Sequence, residues 1–148
     1  MTGGPKQDKQ DPWLTAMVEH EGYPLALRVR PAVDTPGNRS LYRRLLLVTH
    51  QLARVRSNGL PESNYNESLA GFDSDIFQFL ESQGDGIVAF VETFGGKRTY
   101  YAYIDAGATF KTRLQQLEAK YPEHVLRVGF REEPNWETYN LYRKLYPW

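Results

Sequence analysis

Arg28 and Arg30 stand two residues apart, and so do Tyr101 and Tyr103. In an extended strand, side chains two apart point the same way, so each pair presents its functional groups together. A guanidinium binds a carboxylate or phosphate through two parallel N–H donors, and a phenol offers a stacking ring with a hydroxyl at its tip. If both pairs occupy the open side of one sheet, they form a face for an anionic ligand, with Arg127 as a further cation beside it. The same residue types also suit a plain solvent-facing sheet, where they pair across strands and lay their stems over apolar neighbours.

Other residues with chemical potential fall short of a complete constellation. None of His20, His50 and His124 has a second histidine at i+2 to i+4 or a thiol at zinc-like spacing, so no metal site is expected. Asp73-Ser74-Asp75 starts like a cation loop, yet no further acids follow in the calcium pattern. Carboxylates at a helix start complement its dipole, which makes a capping role the expectation there. Gly95-Gly96-Lys97 lacks the GxxxxGK[ST] spacing and lies between two strand-like runs, so turn chemistry accounts for it. No Gly-x-Ser-x-Gly elbow occurs, and no serine has a histidine neighbour. Cysteine is absent, which excludes disulfides, thiolate metal sites and a Cys nucleophile. No catalytic residue is assigned and no cofactor is expected.

The 18 basic and 18 acidic residues cancel, so no global field steers the chain toward nucleic acid or an anionic membrane. The segment Arg98–Asp105 lacks the Gly-aromatic pattern of an RNA-recognition strand, and a protein partner is expected in preference to nucleic acid. No segment approaches the roughly 18 apolar residues of a membrane helix, and the first eleven residues lack the apolar core of a signal peptide. A cytoplasmic location without membrane contact is the expectation.

The elements that must position these residues follow from periodicity. Residues 1–11 are polar and are expected to form a disordered N-terminal tail, leaving 12–148 as a single domain. Residues 13–20 and 23–30 read as a hairpin turning at Glu21-Gly22, with Leu25, Leu27 and Val29 on one face. Residues 34–40 collect turn formers and read as a loop, and 41–53 as a central strand buried on both faces. After the turn at Asn58-Gly59-Leu60-Pro61, apolar residues at Tyr65, Leu69, Phe72 and Ile76 predict a long helix with a break at Gly71, restarted by Asp73. Residues 87–94 and 98–105 form a second hairpin over Gly95-Gly96. Phe110, Leu114, Leu117 and Tyr121 mark another helix, 125–131 a last strand, and Asn135 the N-cap of a final helix packed through Trp136, Tyr139, Leu141 and Leu145 and stopped by Pro147. The order β-β-β-α-β-β-α-β-α predicts an α+β fold: a mainly antiparallel sheet of about six strands with helices packed on one face, ferredoxin-like in architecture.

With the segments placed, Asn58-Gly-Leu-Pro61, Glu92-Thr-Phe-Gly-Gly-Lys-Arg-Thr-Tyr-Tyr-Ala-Tyr103, Trp136-Glu-Thr-Tyr139 and Leu145-Tyr-Pro147 stand in an order and spacing that resemble a bacterial family catalogued as domain of unknown function 695. The resemblance implies a cytoplasmic α+β domain, sometimes found beside domains similar to a ribonuclease E regulatory protein, with no catalytic residues to carry over. The leading functional expectation is a non-enzymatic binding or regulatory domain that engages another macromolecule, of the inhibitor or immunity type against a nuclease or toxin. The alternative is an enzyme or sensor for a small anionic ligand gathered by Arg28, Arg30, Tyr101, Tyr103 and Arg127. A third reading is a homo-oligomeric module joined through an exposed sheet edge or the aromatic C-terminus; the sequence leaves the oligomeric state open.

Overall fold

The computed structural model describes residues 13–105, 107–146 and 148. The expected tail over 1–11 and the expected helix stop at Pro147 lie outside the described residues.

Alternating side chains and left-handed turn residues build the first hairpin. Strands β1 (Leu14–His20) and β2 (Tyr23–Val29) join through Glu21 and Gly22, whose φ angles of 53° and 84° give the turn the twist that antiparallel strands need. A single 3-10 turn (Pro31–Val33) and a short helix α1 (Pro36–Leu41) follow, where a loop was expected. Thr35 Oγ1 accepts the Asn38 N–H at 3.1 Å, and Pro36 takes the first helical position, so two of the turn formers act as a helix start. Strand β3 (Arg44–Gln51) buries Leu45 on one face and Leu46, Val48 and His50 on the other.

The long helix divides into α2 (Ser63–Ser68) and α3 (Ala70–Glu81), which meet at Leu69. The break therefore precedes Gly71, and Asp73 does not restart the helix. Gly71 lies inside α3, with the Tyr121 hydroxyl 3.8 Å from where a β-carbon would sit.

The strongest local signal forms as expected. Strands β4 (Gly86–Phe94) and β5 (Lys97–Ile104) connect through Gly95 and Gly96, at φ 60° and 81°. The earlier turn packs onto this one: Gly59 O accepts the Gly96 N–H at 2.9 Å, and a β-carbon on Gly59 would lie 3.0 Å from Gly95 Cα. Ala89 makes a bulge in β4, after which the side chains exchange faces; Val88 pairs with Ala102, but Phe90 pairs with Tyr101.

Helix α4 (Gly107–Lys120) buries Phe110, Leu114 and Leu117. Strand β6 (Val125–Glu132) and helix α5 (Glu137–Leu145) complete the chain. At the start of α5 the expected N-cap is corrected. Trp136, at φ 55°, holds the capping position, and the carboxylate of Glu133 accepts the Thr138 N–H at 2.9 Å in place of an Asn135 side chain. Of the four residues expected to pack, Trp136 and Tyr139 are fully buried, whereas Leu141 and Leu145 are exposed.

The sheet is six-stranded and antiparallel throughout, in the order β1-β2-β4-β5-β3-β6. Within it, β3-α3-β4-β5-α4-β6 forms a unit of spatial order β4-β5-β3-β6, and the first hairpin extends the sheet beyond β4. Both long helices cover one face, with Phe72, Ile76 and Leu80 of α3 and Phe110, Leu114 and Leu117 of α4 packed on Leu46, Val48, Tyr100 and Ala102. The expectation that helices occupy one face alone is corrected by α5. Trp136 and Tyr139 cover the opposite face, packing with Leu25, Leu27, Val29, Leu45, Phe90, Tyr101 and Tyr103. Because the inner strands have apolar residues at both parities, neither face can be left in water.

Candidate binding groove

The alternation expected for Arg28 and Arg30, and for Tyr101 and Tyr103, is present, but the pairs face opposite ways. Arg28 and Arg30 point to the α3 and α4 side. Arg28 donates to Asp73 through two nitrogens, at 2.6 and 3.1 Å, and Arg30 pairs with Glu81 at the far end of α3. Their side chains are 33% and 12% exposed, so neither stands out as a free cation. Tyr101 and Tyr103 lie beneath α5 on the other side, 8% and 0% exposed. Arg127, exposed on β6, pairs in register with Thr49 and shares their side of the sheet without joining them. The five residues do not enclose a common pocket.

Three tyrosines of β5 instead hold carboxylates. Tyr100 donates to Asp73 at 2.7 Å, Tyr101 to Glu92 at 3.1 Å, and Tyr103 to Glu133 at 2.8 Å. Tyr142 of α5 donates to the second oxygen of Glu92 at 2.9 Å. Burial, reinforced by the neighbouring acids, pushes the hydroxyls of Tyr100 and Tyr101 far above the ordinary phenol range, so both remain protonated donors. Asp73 lies in the first turn of α3, where its charge complements the helix dipole as expected, but it makes no capping bond and anchors helix to sheet instead. Asp75, two residues on, accepts from Lys120 at 2.7 Å and Tyr121 at 2.6 Å, and those bonds hold its carboxyl below the usual range. The two acids face different partners and do not converge on a cation.

An open groove appears where the helix layer ends and the first hairpin extends past it. Its floor is a row of paired strand residues, Met17, Ala26, Thr93 and Arg98, running from β1 through β2 and β4 to β5. Its wall is α2 with the loop before it. Two cavities of about 350 Å³ each lie along this groove and share Ala26, Asn66, Thr93 and Arg98. Arg28 and Asp73 close one end, and Arg56 and Glu67 border the other.

Arg98 sits at the junction. Its Nε donates to Thr93 Oγ1 at 2.9 Å and its Nη2 to Asn66 Oδ1 at 2.8 Å. Both acceptors are neutral, and among the described residues no carboxylate lies within ion-pair distance of it. Hydrogen bonds to neutral groups fix the direction of a guanidinium without cancelling its charge. Sequence reasoning passed over Arg98. The available signal was its place two residues after Gly96 of the hairpin turn, where the register sets it opposite Thr93.

The same row continues from Arg98 to His50 of β3. His50 is fully buried, its ring 4.6 Å from that of His124 and 4.8 Å from that of Phe72, and neither nitrogen has a hydrogen-bond partner among the described residues. Burial first, then the neighbouring His124 and Arg98, lowers its pKa to about 4. Among the described residues no group of three or more metal-ligating side chains occurs. A larger cavity of about 600 Å³ separates β1 from Leu145 and Trp148, but its lining is almost wholly apolar and converges no charged group. No helix among the described residues is long and apolar enough to cross a membrane.

Comparison with known proteins adds one match. A family model described as "Family of unknown function (DUF695)" matches residues 11–142. No curated protein and no solved structure is similar enough to match.

Proposed function

The chain belongs to the DUF695 family, and from that premise we propose a non-enzymatic binding or regulatory domain that receives an acidic segment of a protein partner in the groove between β2 and α2. The observation that carries this reading is Arg98, a guanidinium aimed by Thr93 and Asn66 at the junction of two cavities and left without a carboxylate. An extended peptide suits an elongated groove better than a compact ligand does, because each cavity is small and the two are continuous through shared residues. The inhibitor or immunity role expected from the sequence then requires an acidic target surface; the phosphate-binding surface of a nuclease, being basic, does not suit these arginines. A cytoplasmic location belongs to the same proposal. So does the ferredoxin-like reading, supported by the β3-α3-β4-β5-α4-β6 order and the β4-β5-β3-β6 arrangement.

The test is titration with a fluorescent oligo-glutamate peptide at low salt, against an oligo-lysine peptide of equal length. The acidic peptide should bind, Arg98→Glu should weaken it by at least about tenfold, and Arg127→Glu, on the opposite side of the sheet, should leave it unchanged. Equal binding by Arg98→Glu and wild type, or no preference for the acidic peptide, would overturn the proposal.

A further inference from the structure

Strand β6 ends the sheet with its outer edge unpaired among the described residues. Natural edges are usually blunted by proline, charged side chains (lysine above all), a bulge or a short strand. Strand β6 has no Pro, no Lys and no bulge, and pairs with β3 at every position of Val125–Glu132; its charges are Arg127, Arg131 and Glu132, so any pairing across this edge must accommodate them. Val128 and Phe130 remain 41% and 44% exposed on the side of the sheet that α3 and α4 cover, with Leu126 on the same face. Arg127, Gly129 and Arg131 alternate on the other face.

A second copy of this strand, related by a twofold axis normal to the sheet, must bring residues of equal parity together. The register centred on Gly129 sets Arg127 against Arg131 of the other copy twice and Leu126 against Glu132. That centred on Arg127 sets arginine against itself. The register centred on Val128 has neither defect. It places Val128 against Val128 and Leu126 against Phe130, joining the exposed apolar residues into one stripe. On the opposite face it sets Arg127 over Gly129, which has no side chain to displace, and Arg131 over Val125. Arg131 is already engaged by Glu133 at 3.4 Å. The other edge, β1, has Glu19 as its only charged residue apart from His20 and selects no register in this way.

We propose that β6 is the seam of a twofold dimer in which it pairs antiparallel with β6 of a second copy, Val128 opposite Val128. The sheet then continues through both copies as twelve strands, twice the six of one chain.

The absence of native cysteine provides a clean test, since one introduced thiol is the only thiol. Directly opposed strand residues lie within the 4.4–6.8 Å Cα range of a disulfide. Under mild oxidation Val128→Cys should form a covalent dimer at least about tenfold faster than Val125→Cys, whose partner is Arg131, or Met17→Cys on β1. Sedimentation of the wild type between ~1 and ~100 μM should reach the mass of two chains, while Val128→Lys, with unchanged circular dichroism, stays at one. A wild type of one-chain mass throughout overturns the proposal, including in favour of a foreign strand as the occupant of this edge. So does cross-linking at Val125→Cys or Met17→Cys as fast as at Val128→Cys.

Discussion

Beneath α5, Glu92 and Glu133 accept hydrogen bonds mainly from the hydroxyls of Tyr101, Tyr142, Tyr103 and Thr138, whereas beneath α3, Asp73 and Glu81 meet the guanidiniums of Arg28 and Arg30. The first face is sealed by aromatic stacking. Tyr103 and Trp136 lie parallel at 4.2 Å, as do Phe90 and Tyr101, and the Trp136 indole donates to Tyr42 O at 2.7 Å. The second face mixes aliphatic side chains with Phe72, Tyr100 and Phe110 in its interior, with Arg28 and Arg30 paired to acids of α3, and the groove remains open where α2 ends short of the first hairpin. A phenol lets an acid be buried with little added charge, so the layer closes over it. The guanidinium of Arg98, held only by neutral acceptors, stays half-buried, and the layer is open beside it.

Breaking the sealed face should have the largest effect. Trp136→Ala removes the stacked indole and its hydrogen bond, and should lower the unfolding free energy by ~3–5 kcal/mol, measured by urea denaturation. On the other face, His50 supplies a pH test. The unfolded chain takes up this proton near pH 6.5, but the folded chain does so only near pH 4. Unfolding is therefore increasingly favoured as pH falls through that window, and the contribution, intact above pH 6.5, is lost by pH 4, about 3 kcal/mol in all. His50→Leu should flatten that part of the profile, which denaturant midpoints at pH 7.5 and 4.5 would reveal. The groups facing His50 are His124, Phe72, Arg98 and Leu126, so loss of one imidazole leaves no carboxylate exposed. Asp73→Ala cuts the bonds from Arg28 and Tyr100 together and should cost ~2 kcal/mol by the same method, with Tyr100 left buried and unpaired. Arg98→Ala should be the mildest, ~0.5–1 kcal/mol. An Arg98 variant that destabilised as much as Asp73→Ala would make it another structural anchor and erase the distinction between anchor and groove.

Local chemistry made much of the fold legible. The hairpin over Gly95-Gly96 needed only two positive φ angles between β-rich runs, and α4 needed only the stripe of Phe110, Leu114 and Leu117. Less legible was α1, because Thr35 and Pro36 begin a short helix as readily as they make a turn. The bulge at Ala89 reverses which residues of β4 face each layer, and no strict alternation anticipates it. The groove was invisible for a different reason: Asn66 and Arg98 are 32 residues apart and meet only when α2 crosses the end of the second hairpin.

The amino-acid sequence by itself determined that Arg28 and Arg30 share one side of a strand and that Tyr101 and Tyr103 share one side of another, since side-chain direction alternates with period two whatever surrounds it. Only the tertiary structure decided that those sides are opposite, that α3 meets the arginines with Asp73 and Glu81, and that α5 closes over the tyrosines. Parity is a property of neighbouring peptide units. What covers each face depends on where distant segments pack, and that is set by the burial of apolar surface over the whole chain.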